Sequence, residues 1–151
     1  MTREIVDRAL HALGATATDS PAILDSESCA SLLDAEGWPV LLTYMPGPPP
    51  VLVLYAELGE AQDPGNTFRK ALESTHLWRE GPEFTLGLLR GTDDLTLAMM
   101  IAADETLLDG LAPALARFGK VAARWRDILA EPLVGGEIAF PPHEARPDLR
   151  V

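Results

Sequence analysis

Two neighbouring runs alternate in hydrophobicity yet leave no face for water, and this constrains the fold more than anything else in the sequence. Phe84, Leu86 and Leu88 mark one run, and Leu95, Leu97, Met99 and Ile101 the next, with a turn at Arg90 to Asp94. In the second run the intervening residues are Thr96, Ala98, Met100 and Ala102 rather than charges. A one-sided antiparallel sheet shows a polar face to solvent, so both faces of this hairpin must be covered. The expectation is that one face packs on a helix of the same chain and the other on a second copy.

The covering helix is legible downstream. Leu108, Leu111, Leu115, Phe118, Ala122, Trp125 and Leu129 recur at spacings of three and four, the strongest periodic signal in the chain. Pro113 lies inside this pattern, which predicts either a kink or a turn at Asp104 to Asp109 followed by a helix opened by the proline. Upstream, Thr67 to about His76 reads as a short helix, capped by Asp63 or Asn66 and broken by Gly81-Pro82. Thr2 to Leu13 suits a first helix with two adjacent apolar stripes, Val6, Leu10 and Leu13 beside Ile5, Ala9 and Ala12. One stripe is enough to dock a helix, so the second is packed as well or free for a partner. Glu4 can pair with Arg8, and Gly14 can close the helix.

Between the first two helices, Cys29 to Leu33, Trp38 to Met45 and Val51 to Leu58 read as a meander. Asp34 to Gly37 joins the first pair, and the stiff Pro46-Gly47-Pro48-Pro49-Pro50 loop joins the second. The segment Ala22 to Leu24 is a strand or a packed connection. The fold class is α+β, an antiparallel twisted sheet with element order α-β-β-β-α-β-β-α. Residues 1–130 form the domain. Residues 131–151 are a Pro/Gly-rich extension in which Leu133 to Phe140 can pack and Pro141 to Val151 reads as a mobile tail.

A chain of 151 residues can bury a sufficient core without metal or disulfide. Twelve Lys and Arg against 23 Asp and Glu give a net charge of −11, which repels nucleic acid and anionic membranes. Cys29 is the only cysteine, no apolar run approaches membrane-spanning length, and the start lacks a signal-peptide pattern, so a cytoplasmic protein is expected. No nucleotide loop, G-x-S-x-G, H-E-x-x-H, C-x-x-C or EF-hand pattern occurs. His11, His76 and His143 are dispersed, and Asp93-Asp94 and Asp104-Glu105 suit turns and caps. The expectation is a non-enzyme without catalytic residues, metal or cofactor. Trp38, Trp78 and Trp125 read as core residues in preference to recognition aromatics.

Local residues add a resemblance. Leu32-Leu33-Asp34, Val53-Leu54-Tyr55-Ala56-Glu57-Leu58-Gly59, Ala71-Leu72-Glu73-Ser74-Thr75-His76-Leu77, Phe84-Thr85-Leu86-Gly87 and Leu115 through Phe118 to Trp125, in this order of elements, resemble the class I effector chaperones of bacterial type III secretion, the Tir-chaperone family. The resemblance covers Thr2 to Leu129. The rigid Pro46 to Pro50 loop and the extension after Glu131 depart from the family's pattern.

The resemblance implies a homodimer that binds the non-globular N-terminal region of a secreted effector, keeps it unfolded and delivers it to the secretion ATPase. Family members dimerise through the second helix and adjoining hairpin, which here nominates Phe68, Leu72, Leu77, Trp78, Phe84 and Leu86. Effector contacts are expected at Ile5, Ala9 and Ala12 of the first helix and at Leu41 and Leu52 of the meander, with strand addition at a sheet edge. The competing expectation is a regulatory or sensory protein-binding domain of the same architecture without a secreted client.

Overall fold

The computed structural model describes residues 2–14, 24–75 and 83–132. Its elements follow the expected order: α1 (Thr2–Gly14), β1 (Cys29–Leu33), β2 (Pro39–Met45), β3 (Val51–Glu60), α2 (Pro64–Thr75), β4 (Phe84–Leu88), β5 (Asp94–Ala102) and α3 (Leu107–Leu129). Leu77, Trp78, the segment before Leu24 and the extension beyond Pro132 lie outside the described residues. All strand pairs are antiparallel, in the spatial order β1-β2-β3-β5-β4. Because β3 and β4 both oppose β5, they run parallel to each other, and α2 is the crossover between them.

The sheet has one dry face. Val40, Leu42, Leu52, Leu54, Leu97 and Met99 point into it and are essentially inaccessible. α3 lies across β3 and β5, and α1 packs on α3. The buried stripe of α3 is Leu107, Leu111, Ala114, Phe118, Ala122, Trp125 and Leu129. Leu108 and Leu115 flank it, so the N-terminal half is turned by one residue from the arc read in the sequence. Phe118 and Trp125 each remove about 150–250 Å² from water, roughly 4–6 kcal/mol of gross apolar burial apiece.

Pro113 does not open α3. The helix begins two turns earlier and runs through it, with Leu107 and Leu111 buried on the near side of the proline. Burial of these two leucines offsets the hydrogen bond that the proline cannot donate. On α1, Val6, Ala9 and Leu10 are buried, and Ile5 and Leu13 pack against the core. Of the two readings of its wide apolar arc, the packed one describes nearly all of it. The expected Glu4–Arg8 pair gives way to Arg3, which lies 3.9 Å from Asp7 and donates from Nη2 to the Asp25 carbonyl at 2.7 Å.

The β1–β2 turn is built by Asp34. Its Oδ1 accepts the backbone N–H groups of Glu36 (2.9 Å) and Trp38 (2.8 Å), and Gly37 supplies the positive φ of 83° that the turn needs. Its other oxygen accepts a hydrogen bond from Arg126 Nη1 of α3 at 3.3 Å, with side chains only 5% and 10% exposed. The guanidinium also stacks on Trp38, 4.5 Å from the ring centroid. The hairpin end is thus clamped to the last turns of α3, and Trp38 sits half-exposed at the rim rather than in the core.

Candidate binding surface

The opposite face of the sheet follows from strand alternation and register. Ser31, Leu41, Tyr55, Ala98 and Thr85 form one row across five strands. Cys29, Thr43, Val53 and Met100 form the next, followed by Met45, Val51 and Ala102. Leu33 and Pro39 extend the face at the β1 end. Leu33 is 71% exposed, Met100 60%, Met45 50% and Leu41 42%. Strands about 4.8 Å apart with outward positions about 6.7 Å apart make this a plane on the order of 400 Å², comparable to the largest apolar patch on a typical monomer, which is often functional.

One end of the face is acidic. Glu57 points outward opposite Thr96. The β3–β5 register then shifts between Glu57 and Gly59, where Gly59 takes a φ of 104°. This bulge resets the alternation: Leu58 stays buried, and Glu60 faces outward opposite Asp94. Three carboxylates therefore share one end of an otherwise uncharged face, and no row holds a Lys or Arg. The Tyr55 hydroxyl has its pKa raised, first by burial and then by the charge of Glu57. Among the described residues no group of His, Cys, Asp or Glu is placed to hold a metal ion. No helix among them is long and apolar enough to cross a membrane.

The residues nominated from sequence divide sharply. Leu41 lies on the open sheet face, and Ala12 is exposed on α1. Ala9 and Leu52 are 2% and 0% exposed and belong to the core, which corrects their expected contact with a partner. Antiparallel register explains Leu52: Leu41 pairs with Tyr55 and Leu52 with Tyr44, so Leu41 and Leu52 must point to opposite faces. Ile5 packs against the core as well. Among the expected interface residues, Leu72 is 74% exposed and Phe68 is half-buried on α2, whereas Phe84 and Leu86 turn inward. Alternation signals Met100 as a second-face residue, but only the register assigns it, with Leu33, Met45 and Val53, to the open side.

No family model and no curated protein matches the chain. Solved structures do. A chain of the ExsC-ExsE complex matches with a TM-score of 0.71 and 24% identity, over 87% of this chain and 97% of that one. A chain of the HopA1-SchA chaperone-effector complex matches at 0.65 and 16%, covering 84% and 97%. A chain of the complex between the Yersinia pestis type III secretion chaperone SycH and a fragment of YscM2 matches at 0.57 and 13%, covering 83% and 99%. The chain has the fold of the type III secretion chaperones. On this chaperone fold, α1 and α3 close one side of the sheet, while among the described residues the other side and the outer edge of β1 stay open.

Proposed function

We propose that this chain is a cytoplasmic, homodimeric chaperone of type III secretion that binds the non-globular N-terminal region of a secreted effector and hands it to the secretion apparatus through the secretion ATPase. The observation that carries this reading is the open apolar sheet face beside a strand edge that is unpaired among the described residues, on a fold shared with a chain of a chaperone-effector complex and a chain of a type III secretion chaperone complex. An extended client can place apolar side chains on that face and add main-chain hydrogen bonds at β1, binding with little sequence demand. Folding of the client there is disfavoured, because the surface that would form its core is occupied. No chemical step is needed. The twin attaches through α2, where Leu72 and Phe68 present apolar surface next to the β4 edge. The test is co-expression with N-terminal segments of secreted proteins encoded nearby: a stoichiometric complex in which the client segment is extended by hydrogen exchange supports the reading. A dimer that carries none of them, or that binds only folded domains, overturns it.

A further inference from the structure

The corner where β1 turns into β2 is left uncovered by the described residues, and the chain leaves α3 close to it. Leu33, Pro39 and Leu41 are exposed on the open face there, and the Trp38 ring is half-exposed at the rim. Arg126 of α3 stacks on that ring, and α3 ends within one further turn, at Leu129. The exit is pinned: the Gln62 backbone N–H donates to the Leu129 carbonyl at 3.0 Å, and Lys70 pairs with Glu131. We propose, building on the chaperone reading, that the segment Leu133 to Phe140 returns to this corner as a built-in stand-in for the client, adding a short antiparallel strand to the outer edge of β1 that a client must displace.

Three observations select this occupant. The first is reach. Leu133 to Gly136 spans about 13 Å at about 3.3 Å per residue, whereas only two strand spacings, about 10 Å, separate β1 from β3, whose end lies beside the last carbonyls of α3. The second is pattern. Ile138 and Phe140 alternate with Glu137 and Ala139, and Pro141-Pro142 then offers no further ladder donors. β1 ends on the α3 side, so a strand entering from there runs opposite to it; with Ile138 facing Leu33, Phe140 comes opposite Ser31 and Pro142 opposite Cys29, and the two large apolar side chains lie on the open face with Leu33 and Leu41. The third is charge. The same register sets Glu137 opposite Asp34, whose partner Arg126 is nine-tenths buried and has no acceptor among the described residues for Nε and Nη2. Those two donors form the side of a guanidinium that takes a carboxylate through parallel hydrogen bonds, and Glu137 is the one acid between Pro132 and Pro142. The arm leaves α2 and the β4–β5 hairpin to the twin.

The experiment uses the full chain and its single native thiol. In Pro142→Cys, mild oxidation should join the introduced thiol to Cys29 within one chain about tenfold faster than in Val151→Cys, as read by non-reducing electrophoresis and mass spectrometry. Hydrogen exchange of the wild type should show the amides of residues 138–140 protected. Leu33→Glu and Ile138→Glu, on the two sides of the contact, should each release them, and Glu137→Gln should speed their exchange about tenfold. A synthetic peptide copying residues 133–142 should bind Ile138→Glu about tenfold more tightly than the wild type, because only the variant leaves the corner empty. Unprotected amides at 138–140, or a link to Cys29 no faster than that of Val151→Cys, overturns the arm and leaves the chaperone reading standing. A covalent dimer in place of the internal link also overturns it, by placing the arm on the twin. A protected, linked arm in a protein that captures no client upholds the cover on the corner and overturns the chaperone reading instead.

Discussion

Removing the Asp34 carboxylate should be far more damaging than removing its partner Arg126, although the two form one ion pair. Asp34 carries three hydrogen bonds, two from its own turn and one from Arg126, and both side chains are at least nine-tenths buried. Asp34→Ala deletes the turn's acceptor and leaves a guanidinium buried without its carboxylate, a change that costs about 3–5 kcal/mol. Arg126→Met keeps the apolar stem, loses one hydrogen bond and the stack on Trp38, and leaves Asp34 with both backbone donors, for about 1–2 kcal/mol. The double variant contains no unpaired cation and should be no less stable than Asp34→Ala alone, whereas additivity puts it at about 4–7 kcal/mol. Urea unfolding followed by far-ultraviolet circular dichroism, at one fixed protein concentration, measures all four corners of the cycle. Equal losses for the two single variants, or strict additivity in the double, refute the clamp.

On the proposed dimer, Leu72→Glu on the exposed face of α2 should halve the mass seen by light scattering while changing the circular dichroism little; an unchanged mass removes α2 from the proposed interface. Asp104 is held below the usual carboxylate range, first by the Thr106 hydroxyl and then by the Thr106 backbone N–H. A lowered folded pKa means that this contribution is present above the ordinary aspartate value and is lost as pH falls through the folded one, so Thr106→Ala should move the Asp104 titration up, as followed by carboxyl carbon chemical shifts. Tyr55 titrates above the ordinary tyrosine value of about 10, first because of burial and then because of Glu57. Its neutral form is favoured on folding, and stability falls as pH rises from that ordinary value through the folded one. In a Tyr44→Phe background, Glu57→Gln should lower the alkaline absorbance transition of Tyr55 without bringing it fully to the free value.

Most of the architecture was legible because it depends on local chemistry. The period of α3 from Phe118 to Leu129, the alternation of β2 and β5, and the Asp34 to Gly37 turn each follow from neighbouring residues. The face of each strand did not, because it depends on which residue sits opposite. The loop of residues 46–50 places Met45 opposite Val51, so odd positions of β2 meet odd positions of β3, and this arithmetic excludes Leu52 from the surface that holds Leu41. Ala9 was misplaced for a related reason: on a helix with two apolar stripes, only the position of α3 decides which is covered. The sequence reading ends the third strand at Leu58, whereas β3 runs on to Glu60 through the bulge at Gly59, and the outward turn of Glu60 follows only from the register with β5. The contact between Asp34 and Arg126 joins positions 92 apart and has no local signature.

The open side of the sheet also sets the conditions under which the empty protein can be stored. An oily plane bordered by a strand edge that is unpaired among the described residues invites copies to stick face to face, and the charge of −11 opposes this by mutual repulsion. That protection fades as acidification approaches the isoelectric point near 4.5, so turbidity on mild acidification should appear in the protein alone and be suppressed once a bound peptide covers the plane.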